Sequence, residues 1–165
     1  ALSSAASDVY KRQDKDHHDY FLNGAIFEVY DKTIDSYVTT LASGQLMIAG
    51  EVKDEEYEIS KKEDFSKVIK TVKTDENKQI ILDIDDVTYY SRKVGSDEVT
   101  KHVIKDGKAV LSDAIYGHEY EFKEIKAPTS YQLADKSKAY KVEADEETDT
   151  TVSYTHLTLP TIRLL

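Results

Sequence analysis

Hydrophobic and polar residues alternate along most of this chain with a period of two, the spacing of a half-buried strand. The clearest run is Tyr116–Lys126. Within it Tyr120, Phe122 and Glu124 share one face, and Glu121, Lys123 and Ile125 share the other. Ala127-Pro128 ends it, because proline removes a ladder donor and restricts the residue before it. Gly24–Tyr30 reads the same way, with Ala25, Phe27 and Val29 toward a core. Further strands are expected at 51–59, 98–104 and 108–112, the last two around the Asp106-Gly107 turn. A hairpin is expected from 78–84 and 87–94 around Asp85-Asp86, then a short segment at 131–133 and a last strand at 138–144. Residues 37–48 are ambiguous, punctuated by Gly44. Ser60-Lys61-Lys62-Glu63 has the form of a capping box, and Phe65, Val68, Ile69 and Val72 follow at helical spacing, so one short amphipathic helix is predicted there. Many short strands with turn signals between them predict a mostly β chain, an antiparallel sandwich. Residues 78–83 weakly echo 108–113, a pattern that hairpins share in any case.

Composition narrows the function classes. There are 22 basic and 32 acidic residues, for a formal net charge of −10. An acidic surface disfavours nucleic acid and anionic lipid as partners. No apolar run is long enough to insert in a membrane. With no cysteine there is no disulfide and no thiolate metal site. Twelve tyrosines against four phenylalanines and no tryptophan suit strands with one wet face. His17-His18 is the only hint of a metal ligand pair. Neighbours on a strand point to opposite faces and no third ligand is suitably spaced, so these are read as solvated loop histidines. No cofactor is expected. No phosphate-binding glycine loop, elbow serine or zinc-ligand cluster is present, so the chain does not read as an enzyme.

Both ends read as translated sequencing adapter. The codons of a transposase adapter give Ser3–Gln13, and the reverse complement of that DNA in another frame gives Val152–Thr161. On this reading residues 1–13 and 152–165 lie outside the fold as disordered segments, and the domain is 14–151 with a balance of 19 basic to 31 acidic residues. It follows that Ala1–Ala6 is no signal peptide and that Leu159-Pro160-Thr161-Ile162 is no sorting signal.

Two motifs carry a family resemblance. Tyr116-Gly117-His118-Glu119-Tyr120-Glu121-Phe122-Lys123-Glu124-Ile125-Lys126-Ala127-Pro128-Thr129-Ser130-Tyr131 resembles the "G-x-Y-x-x-x-E-x-x-A-P-x-G-Y" signature of Cna-B or SpaA-like prealbumin-fold domains. Leu22-Asn23-Gly24-Ala25-Ile26-Phe27-Glu28-Val29-Tyr30-Asp31 resembles their early "L-x-G-A-x-F-E-V-Y-D" strand. Ser130 departs from the usual glycine. The motifs cover the two ends of the domain, and residues 33–104 are then expected to be an insertion that contains the helix.

The resemblance implies a prealbumin-like, inverse immunoglobulin-like sandwich in an extracellular, cell-wall-anchored adhesin or pilin of Gram-positive bacteria. Partners would be host or extracellular-matrix proteins, or neighbouring domains of the same surface protein. It also implies a role for Glu124: the acid that assists an intramolecular isopeptide bond between a first-strand lysine and a last-strand asparagine. Burial raises a carboxyl pKa and lowers that of a lysine, giving a proton donor and a neutral nucleophile. If Asp14 closes the family's K-x-D pattern, the lysine position is occupied by Arg12, Lys15 is off register, and 138–151 holds no asparagine. The chain is therefore expected not to form the bond itself, although its parent protein would. The plainer reading is a Glu124 that only bonds backbone donors or a tyrosine hydroxyl. A second functional reading is an accessory module of a secreted enzyme. As a sugar platform, Tyr89-Tyr90 offers adjacent aromatics.

Overall fold

In the computed structural model, residues 22–128, 131–132, 139–143, 152–155 and 162–163 are described. The two motif strands form the centre. β1 (Ile26–Asp31) pairs antiparallel with β10 (Glu119–Lys126), setting Asp31 against Tyr120, Val29 against Phe122 and Phe27 against Glu124. On its other side β1 pairs with β2 (Ser36–Ala42), which turns at Ser43-Gly44 into β3 (Gln45–Ala49). Gly44 has φ +66°, and a Cβ there would lie 1.9 Å from the Asn23 Oδ1, so only glycine fits. β6 (Gln79–Asp83) pairs with β3, and β12 (Ala139–Glu143) pairs with β10. The six-stranded sheet thus runs β12-β10-β1-β2-β3-β6.

A second antiparallel sheet has the order β5-β4-β7-β8, from β4 (Glu56–Ser60), β5 (Val68–Lys73), β7 (Thr88–Lys93) and β8 (Thr100–Val103). The two sheets meet through Leu46, Ile48 and Ile80 on one side and Ile59 and Tyr89 on the other, with Ile104 beside them. β9 (Lys108–Leu111) covers the rest of the large sheet, where Ala109 and Leu111 close a core with Ala25, Phe27, Val29, Tyr120, Phe122 and Val142. The Phe27 and Phe122 rings meet edge to face with centroids 6.3 Å apart. The result is a mostly β sandwich of two antiparallel sheets, as the alternation predicts.

Four local expectations are corrected. The helix expected after Ser60 is absent, and among the described residues there is no helix at all. Ser60 instead ends β4, where its hydroxyl accepts the Lys62 N–H and donates to the Lys67 carbonyl, closing the 61–67 loop. Phe65 sits at φ +53°, outside the right-handed helical region. Val68, Ile69, Thr71 and Val72 are β-branched and stiff at χ1, which favours the pleated β5.

The strand expected at 51–59 begins only at Glu56. Residues 51–55 form a loop in which the Glu55 carboxylate accepts the N–H groups of Glu51 and Val52 at 2.6 and 3.2 Å. The hairpin expected around Asp85-Asp86 is not one, because β6 joins β3 while β7 joins β4 and β8. In opposite layers the apolar faces of β6 and β7 meet across the core. Around Asp106-Gly107 the turn forms, but the strands diverge after the Lys105–Lys108 bridge.

The ambiguous 37–48 stretch becomes the β2–β3 hairpin, and its pattern blurs because Leu46, Met47 and Ile48 are all buried. Residues 33–104 supply β2, β3 and β6 to the large sheet and all of the small one. At the far end, Val152–Thr155, expected outside the fold, forms β13 and pairs with β9, and β14 (Ile162–Arg163) pairs with β11 (Tyr131–Gln132). A bare β9 edge presents unpaired main-chain groups, and a valine–tyrosine strand satisfies them whatever its origin.

Candidate functional site

The face of β1 and β10 that looks between the layers carries a carboxylate at each end. Glu124 lies at one end, opposite Phe27 and beside the bulge between Ile26 and Phe27, and it is 1% exposed. It shares its face with Tyr120 and Phe122, as the alternation requires. A carboxyl group so placed is out of water and within an apolar wall.

Asp31 lies at the other end and is 2% exposed. Sequence reading missed it, since an aspartate ending a strand reads as a turn residue. Its carboxylate accepts the N–H groups of Thr33 (2.9 Å) and Ile34 (3.4 Å) and meets His118 Nδ1 at 2.6 Å. Burial works to raise its pKa, but the His118 bond and the two N–H donors outweigh it and hold the group below the ordinary value. The His118 ring stacks on Tyr120, whose hydroxyl accepts the Ile115 N–H at 2.6 Å. This end of the sheet is fully bonded and structural.

The first motif's asparagine also acquires a role. The Asn23 carbonyl accepts the Gly107 N–H at 2.7 Å, and its amide donates to Asp106 at 3.0 Å. It thereby ties the start of β1 to the β8–β9 turn. The chain's other asparagine, Asn77, is in an exposed turn with its N–H on Asp75. Arg12, Asp14, Lys15, His17, His18, Ser130 and residues 144–151 lie outside the described residues.

A second polar pair lies within the small sheet, beside a cleft that residues of the large sheet also line. Ser91 and His102 meet at 2.7 Å, Oγ to Nε2, on β7 and β8. They line a cleft of about 320 Å³ with Thr39, Ile48, Tyr57 and Lys93. Burial pushes the His102 pKa down to about 4, so the imidazole is neutral near pH 7. Such a weak base would take the serine proton poorly. Among the described residues no group of three or more histidine, cysteine, aspartate or glutamate side chains suits a metal ion. Tyr89 is buried at 2% exposure, so Tyr89-Tyr90 does not form a sugar-stacking platform.

The family model of the SpaA prealbumin-like fold domain matches residues 9–157. The chain belongs to that family, whose domains are typical structural modules of Gram-positive surface proteins. The matched span begins before Asp14 and ends after Thr151. Searches of the curated proteins and of the solved structures gave no match.

Proposed function

We propose that the chain is a stalk or ligand-presenting module of a bacterial cell-surface or pilus protein, and that Glu124 is the acid of an intramolecular isopeptide bond in the parent. The observation that carries this reading is a glutamate 1% exposed on the central strand, facing the layer interior beside Phe27. A carboxyl group held between the layers is placed to hydrogen-bond the side-chain carbonyl of an asparagine brought to it and so to assist attack by a lysine. Condensation then joins the lysine Nζ to the asparagine side-chain carbonyl carbon and releases ammonia. The module binds its host, matrix or neighbouring-domain partner without turnover.

Intact mass spectrometry of this chain tests the chemical part. The expected mass is that of the sequence, because Asn23 is engaged with Asp106 and Gly107 and Asn77 sits in an exposed turn. A species lighter by one ammonia that disappears in Glu124→Ala would show the bond forming here and sink the expectation. In a longer chain carrying the upstream lysine and downstream asparagine, the same measurement is expected to show the loss, and Glu124→Ala to abolish it.

A further inference from the structure

The outer edge of the small sheet is the place where an acidic chain turns basic. Residues 61–73 hold five lysines against Glu63 and Asp64, a net +3 within a chain of net −10. Among the described residues β5 is the end strand and pairs only with β4. It exposes apolar as well as charged side chains, with Val68 at 38% and Ile69 at 43%.

The main-chain groups on its free side can be identified. The Glu56 carbonyl accepts Val94 N–H on the β7 side, while Glu55 and Thr74 bond on the β5 side. Alternation then turns Tyr57 and Ile59 toward their partners Val72 and Lys70, and the N–H and C=O groups of Thr71 and Lys73 outward.

We infer that this edge is a strand-addition site for an extended acidic segment of another protein. Outward amides and carbonyls of a strand are matched only by another extended backbone. Lys67, Lys70 and Lys73, the last already 3.7 Å from the Glu56 carboxylate, decide which one. A second copy laid antiparallel on the same edge would set lysines against lysines, so the charges that block self-association select an acidic partner. Exposed Val68 and Ile69 offer apolar contact to its alternate side chains. The other sheet's edge at β6 has no such charge selection, carrying Lys78 and Asp83 at its two ends.

The test uses the isotope-labelled full chain and two short peptides, one alternating valine with glutamate and one alternating valine with lysine. The glutamate peptide is expected to bind and to slow amide exchange at Thr71 and Lys73, and the lysine peptide is expected not to bind. The triple variant K67E/K70E/K73E keeps the backbone and is expected to weaken the glutamate peptide by about tenfold and to accept the lysine peptide. Thr71→Pro removes an outward donor, which an edge strand tolerates, and is expected to abolish binding while the lysines remain. If neither peptide binds, if binding leaves the Thr71 and Lys73 amides unprotected, or if a folded Thr71→Pro binds as well as the wild type, the inference is overturned. Should Thr71→Pro fail to fold, exchange protection in the wild type and the charge reversal still decide it.

Discussion

At the scale of single residues, the two carboxylates at opposite ends of the β1–β10 face are both buried and sit in different surroundings. Asp31 accepts the Thr33 and Ile34 N–H groups, meets His118 and belongs to the architecture, and Glu124 shares its sheet face with Phe27 and Phe122. His102 is held neutral by burial, and its folded pKa of about 4 lies below the ordinary 6.5. The unfolded chain therefore binds more protons between those values. The neutral imidazole contributes stability in full above pH 6.5, and that stability is lost as pH falls toward 4. The whole span is worth at most about 3 kcal/mol, less to the extent that water reaches the cleft. Urea unfolding at pH 7 and pH 5 is expected to show His102→Gln, which keeps a hydrogen-bonding partner for Ser91, flattening this part of the pH profile. An unchanged profile would place the titration elsewhere.

Among the elements, β5 is the one that the sequence disguised. Its apolar residues fit a helical spacing, and Ser60 and Glu63 complete a cap signature, yet the hydroxyl serves a loop and the residues serve an edge strand. The two readings predict opposite signs for Thr71→Ala. Alanine favours a helix, so a helical segment would gain stability. On the exposed edge of a sheet it gives up β propensity, and a loss of about 0.5 kcal/mol is expected. Thermal unfolding of the variant distinguishes them. The same element carries the basic island, so the segment that propensity misassigns is also the one that breaks the charge pattern of the chain.

For the whole molecule, the six-stranded sheet is shared between two cores. β1 and β10 face the core closed by β9, while β3 and β6 face the core closed by the small sheet. Neither half keeps its strands without the other, so a single cooperative transition is expected by calorimetry. Phe122→Ala, in the β1–β10 core, is expected to cost about 3–5 kcal/mol and to lower the transition as a unit rather than split it. A second transition remaining at the wild-type temperature would show that the small sheet is an independent body.

The local sequence determined which stretches are strands wherever alternation was clean. Ile26–Asp31 and Glu119–Lys126 overlap the strands expected at 24–30 and 116–126, because a strand's side chains alternate regardless of its neighbours. It also determined that Glu124 points the same way as Phe122. Only the tertiary structure decided which strands share a ladder. Asp85-Asp86 and Asp106-Gly107 look alike as turns, yet the first sends its strands into opposite layers and the second lets its strands part after one bridge. Pairing depends on which apolar faces can meet, a property of residues far apart in the chain. The same holds for Asp31, whose burial rests on His118 reaching it from 87 residues away. It holds too for β5, where a partner strand satisfied the backbone and so overruled a local preference for a helix.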